Sequence, residues 1–160
     1  MTTETFISEL NRLPVWYGKN VEEIRNLFSR KEQQISKKDS QFFSQYWQVF
    51  AWAAIIGFLH DKRIDDAELV NKTSIPAFKT IYNNGEDIGQ ALILMAISKI
   101  KSDNPEDILK PRKILNIIGE YAEGGARYIL ELRESSENNT LFDHPDDYLM
   151  EIYQRTQSAE

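Results

Sequence analysis

The sequence predicts an all-α fold, a compact array of six to seven helices packed as one domain (1–160) around two buried apolar helices. Three observations predict it. First, no charged residue occurs from Ser40 to Leu59, and Val49-Phe-Ala-Trp-Ala-Ala-Ile-Ile-Gly-Phe-Leu59 is apolar throughout in a chain that is 28% charged. Second, every periodic apolar pattern recurs at three and four residues, the period of a helix face rather than of a strand. Third, polar caps and prolines divide these patterns into helix-sized pieces.

Taken in order, Ile7, Leu10 and Leu13 mark a short first helix that Pro14 stops. Val15-Trp16-Tyr17-Gly18 reads as an apolar loop against the core. Asn20 with Glu23 three residues on resembles a capping box, and Val21, Ile24, Leu27, Phe28 and Ile35 form the inner stripe of an amphipathic helix. Asp39 is placed to cap the uncharged helix, which runs to about His60. Its apolar residues surround the axis, so neighbours must cover it on most sides.

Ser74-Ile75-Pro76 suggests another helix start, carried on by Ala77, Phe78, Ile81 and Tyr82 and ended by Asn83-Asn84-Gly85. A second strongly apolar helix spans about Glu86 to Lys101 and is expected to be the main partner of the first. Asn104-Pro105-Glu106-Asp107 combines a cap, a proline at the first position and acids against the dipole. Pro111 breaks or restarts that helix. Ile114, Ile118, Tyr121, Gly125, Tyr128 and Leu132 then keep one phase across Gly124-Gly125. Two interior glycines cost about 2 kcal/mol relative to alanine, so an unbroken stripe implies close packing there. Glu123–Arg127 and Arg127–Glu131 are spaced to pair on the outer side. Residues 135–140 read as a polar loop. His144-Pro145-Asp146-Asp147 starts a last helix with Tyr148, Leu149, Ile152 and Tyr153 facing inward.

Composition narrows the function classes. Zero cysteines exclude disulfides, thiolate chemistry and cysteine-ligated zinc, and fit a reducing cytoplasm. The densely apolar part of the uncharged segment is too short for the roughly 20 residues of a membrane span, and Met1-Thr2-Thr3-Glu4 is no basic leader. No membrane role is expected, and the chain is expected in the cytoplasm. Net charge is −6, unevenly spread. Residues 1–63 hold nine Lys/Arg against seven Asp/Glu, a net +2; residues 64–160 hold ten against eighteen, a net −8. Any DNA contact is therefore expected from the N-terminal third, where Lys19, Arg25, Arg30, Lys31, Lys37 and Lys38 line one helix after Trp16-Tyr17.

Known site patterns are scarce. No phosphate-cradling glycine loop and no serine elbow occurs. His60-Asp61 with Asp65, Asp66 and Glu68, and His144 with Asp143, Asp146 and Asp147, lack metal-ligand spacing and read as turns and helix caps, so no metal and no cofactor is expected. Glu120 and Glu123 sit three apart on one helix. Such a pair can divide acid and base roles when burial splits its members, or line a pocket, but without a nucleophile or metal it reads as two exposed glutamates, one of them paired with Arg127. No catalytic residue is assigned.

Two stretches resemble one family. Phe50-Ala-Trp-Ala-Ala-Ile-Ile-Gly-Phe-Leu-His-Asp-Lys-Arg63 is similar to its Phe-x-x-Ala-Ala-x-x-Gly-[Tyr/Phe] segment ending in basic residues. Ile117-Ile-Gly-Glu-Tyr-Ala-Glu-Gly-Gly-Ala126 resembles its Glu-Tyr-Ala-x-Gly-Gly element, and Ile75-Pro76 lies between them where the family has a similar dipeptide. These are the small accessory proteins encoded with bacterial DNA phosphorothioation (Dnd) defence systems, and the resemblance covers residues of roughly 50–130. Glu123 and Ala126 depart from the family's Asn and Leu. The resemblance implies a non-catalytic accessory or adaptor subunit of an anti-phage system. Its partner would be a protein from the same operon or a further copy of itself. The candidate contact residues are His60, Lys62 and Arg63 at the exit of the apolar helix, and Tyr121, Glu123, Gly124, Gly125 and Arg127 around the glycine pair. Two alternatives stand beside it: a nucleic-acid-binding subunit using the basic helix 19–38, and an enzyme using Glu120 and Glu123.

Overall fold

A computed structural model describes residues 2–28, 43–65, 73–134, 154 and 157. Among the described residues seven helices and one short antiparallel ribbon surround a single apolar core, in agreement with the all-α expectation. Helix α1 (Thr3–Arg12) begins where the Thr2 hydroxyl accepts from the Thr5 amide. It ends at Leu13, held extended by the Pro14 that follows.

Val15-Trp16-Tyr17 is not a loop. It forms β1 (Val15–Tyr17), which pairs antiparallel with β2 (Thr73–Ile75) in the register Val15–Ile75, Trp16–Ser74 and Tyr17–Thr73. Alternation explains it: Val15 and Tyr17 face the core while Trp16 faces out. A bulky aliphatic–aromatic run of three is ambiguous by period alone, and here the ribbon satisfies its backbone groups. For the same reason the helix expected from Ser74-Ile75-Pro76 begins later, as α4 (Lys79–Asn84).

Helix α2 (Lys19–Phe28) buries Val21, Ile24 and Phe28. Helix α3 (Tyr46–Leu59) is the apolar segment. The Gln48 side chain accepts from the Gln45 amide at its start, and Trp47, Val49, Phe50, Ala53, Ala54, Ile56, Gly57 and Phe58 are all buried. The proposed cap Asp39, Ile35 and the helix expected after His144 lie outside the described residues. No helix among the described residues is long and apolar enough to cross a membrane.

Helix α5 (Glu86–Ser98) follows Gly85 and buries Leu92, Ile93 and Ala96, leaving Leu94 exposed. The short α6 (Pro105–Ile108) is capped by Asn104, whose side chain accepts from Glu106. Helix α7 (Pro111–Glu134) runs unbroken through Gly124-Gly125, as the stripe predicted.

The main partner of α3 is α7, not α5. Hydrophobicity alone favoured α5, but close approach depends on small residues. A Cβ on Gly125 would lie 1.9 Å from the Ala53 carbonyl oxygen, and one on Gly57 would lie 2.0 Å from that of Tyr121. The two backbones touch, with Ala53, Ala122 and Ala126 fully buried beside them.

Candidate functional site

The chain leaves α3 through a turn that closes against α7. Asp61 takes the left-handed conformation, φ 49°, and is the one described non-glycine residue with positive φ. The Lys62 amide donates back to the Gly57 carbonyl at 2.8 Å. The strand of chain that follows crosses α7 so closely that a Cβ on Gly124 would meet the Lys62 carbonyl oxygen at 2.2 Å.

Side chains fix this turn from three elements. Tyr121 donates its hydroxyl to the Asp61 carboxylate at 3.0 Å, and Lys99, just past α5, reaches the same oxygen at 3.1 Å. Both bonds hold the Asp61 carboxyl below its ordinary range, Lys99 contributing most. Burial, and then donation to Asp61, push the Tyr121 hydroxyl up. Phe58 stacks on Tyr121 with ring centroids 4.2 Å apart, and the His60 ring lies 4.7 Å from that of Tyr128. Lys62 lies over Tyr128 and Arg63 over Tyr121 at cation–π distances. Burial, assisted by Lys62, lowers the His60 pKa.

Glu120 and Glu123 of α7 are both buried, which corrects the expectation of an exposed pair. Glu120 accepts from Arg63 Nε, and its own carbonyl accepts from the Ile64 amide at 3.1 Å. Glu123 is 2% exposed and does not serve Arg127. Its carboxylate accepts from the backbone amides of Gly18 (3.0 Å), Asn20 (2.7 Å) and Val21 (3.1 Å). It caps the start of α2 from across the fold, where a negative charge also meets the positive end of the helix dipole. Asn20 therefore donates its backbone N–H from inside the helix rather than capping it. Arg127 is exposed.

The candidate contact residues thus divide in two. His60, Lys62 and Arg63 belong to an ordered turn with Leu59 67% exposed beside them. Tyr121, Glu123, Gly124 and Gly125 are buried and support that turn and α2 from within rather than forming a surface. Of the basic helix, Lys19 is exposed, but Arg25 donates to the Tyr17 hydroxyl at 2.9 Å and lies 4.3 Å from the Tyr46 ring centre. Arg30, Lys31, Lys37 and Lys38 lie outside the described residues, as do Asp66, Glu68 and the acids around His144. No group of metal-ligating side chains comes together among the described residues.

One feature escaped the sequence reading. Lys110-Pro111-Arg112-Lys113 registers in sequence as a helix break. In the fold its three cations meet Arg63 around a cleft of about 380 Å³, with Asn116 and Glu120 on the wall. Three basic residues within four positions were the available signal.

A family model described as DNA sulphur modification system-associated protein 4 matches residues 25–157. No curated protein and no solved structure matches the chain.

Proposed function

The chain belongs to the family of DNA sulphur modification system-associated protein 4, and from that premise we propose that it is a cytoplasmic, non-catalytic accessory subunit of a DNA phosphorothioation-linked defence system, acting by contact with another protein of that system. The observation that carries this reading is the turn from Leu59 to Arg63. It is exposed, charged and fixed by contacts from α5 and α7. A turn held in place by its neighbours loses little entropy on binding, which favours protein recognition. A left-handed aspartate held there by its neighbours is the kind of local strain that collects at functional sites.

The buried carboxylates also support the reading. Glu123 is committed to three amides and Glu120 to Arg63, which leaves neither placed as a free acid or base. In cells, Glu120→Gln is expected to cost no more function than Arg63→Gln, which breaks the same ion pair, whereas an acid–base role would make the glutamate the more damaging loss. Glu123→Gln is the poorer test of catalysis, because it weakens the fold.

The experiment is affinity recovery of the tagged full chain expressed from its native operon. The expected result is stoichiometric co-recovery of a second operon protein, lost in the surface double variant Leu59→Glu/Lys62→Glu with its circular dichroism unchanged. Recovery of the chain alone, as a monomer, would count decisively against the proposal.

A further inference from the structure

The cleft at the start of α7 gathers more positive charge than the fold's own contacts neutralise. Four cations, Arg63, Lys110, Arg112 and Lys113, face a cavity of about 380 Å³. Two carboxylates answer them in part. Glu120 holds Arg63, and Asp107 holds Lys110 at 2.9 Å in a pair whose side chains are 59% and 45% exposed. Exposed pairs of that kind are weak and exchange readily with another anion. Arg112 gives one N–H to the neutral Pro14 carbonyl at 2.8 Å, which orients the guanidinium without neutralising it. Lys113 is exposed.

This arrangement works against stability. Like charges crowd together, and Lys110, Arg112 and Lys113 stand at the positive end of a 24-residue helix with no acidic residue in its first turn. Relief comes from an anion that brings several acceptor oxygens at once. Arg112 and Arg63 present planar, multi-donor groups suited to tetrahedral oxyanions, and Asn116 adds a neutral donor. The cavity is large enough for a phosphate group and its ester substituent, and it is open on the solvent side.

We propose that the cleft between Arg63 and Lys110-Pro111-Arg112-Lys113 is a binding site for a phosphate oxyanion. The site stands apart from the basic stretch 19–38, and it does not depend on the protein-contact reading.

The test uses the full chain and two probes. Amide NMR spectra are recorded during titration with inorganic phosphate, and fluorescence anisotropy follows a short single-stranded oligonucleotide at low salt. Inorganic phosphate is expected to shift the amides of Arg112, Lys113 and Asn116 saturably. Lys110→Glu/Lys113→Glu, both on exposed side chains, is expected to weaken the binding by at least about tenfold, and Lys113→Gln by less. If the oligonucleotide binds more tightly than phosphate and the double variant flattens its salt dependence by about 1.4 in log–log slope, as two lost phosphate contacts on a single strand require, the phosphate belongs to a nucleic-acid backbone. If phosphate alone binds, the ligand is a small phosphate or phosphate ester. The proposal is overturned by a phosphate titration without shifts at these amides. It is overturned equally by binding of either probe that the double variant leaves unchanged.

Discussion

Replacing Glu123 by Gln removes the charge from a carboxylate that three buried backbone amides share. Hydrogen bonds to a charged group contribute about 1.5–3 kcal/mol, so Glu123→Gln is expected to lower stability by about that amount in urea unfolding. A loss below about 0.5 kcal/mol would mean that the amides find other acceptors. The sequence hid this role because spacing along a helix shows which residues neighbour one another, not which way a side chain turns. The i,i+4 rule pointed Glu123 at Arg127, whereas its true partners lie at Gly18 to Val21. A usable signal was present: Ala122, Gly124, Gly125 and Ala126 surround it, and a glutamate among small residues that pack closely is a buried one. His60 offers a second test. Its pKa lies below the ordinary 6.5 through burial and Lys62. With a depressed folded value, the unfolded chain takes up the proton first. The stabilisation is therefore complete above 6.5 and is lost as pH falls through the folded value. Asp61 acts with the same sign further down, below its ordinary 3.8. The urea midpoint is expected to fall as pH drops from 6.5, and to fall less in His60→Gln.

At the scale of elements, the α3–α7 pair makes a prediction whose sign is diagnostic. Alanine in place of glycine in an exposed helix interior gains about 1 kcal/mol. At Gly125 the added methyl would sit 1.9 Å from a backbone oxygen of α3, and overpacking of that kind costs about 3 kcal/mol. Gly125→Ala is therefore expected to destabilise, and a stabilised variant in thermal unfolding would mean that the helices do not approach so closely. Helix identities and the continuity of α7 were legible from period and phase. The pairing was not. The apolar content of α5 suggested a partner for α3, but backbone approach is set by glycine and alanine on facing surfaces, which a single strand of sequence does not align. The β1–β2 ribbon was missed because its two strands are three residues each and separated in the chain by α2 and α3.

For the whole molecule, one contiguous core extends from Phe6 through α3 to Leu132, and it should melt as one unit. Phe50 is 1% exposed. Phe50→Ala is expected to cost about 3–5 kcal/mol while keeping a single transition by circular dichroism and tryptophan fluorescence. Two separated transitions would contradict one core. The uncharged segment that first raised the question of a membrane is the centre of that core, and its charged exit is where the molecule presents an ordered surface. Family membership was legible from two short motifs. Their residues turn out to be mainly packing positions, with Gly57 and Gly125 at the helix contact, Gly124 under the Lys62 backbone, and Glu120 and Tyr121 bracing the turn. The motifs thus specify how the turn is held and leave its partner open. The most direct test is therefore recovery of the full chain from its native operon, with Leu59→Glu/Lys62→Glu as control. The expected result is a stoichiometric protein partner that the double variant loses. A monomer recovered alone, or a partner retained by the variant, would contradict it.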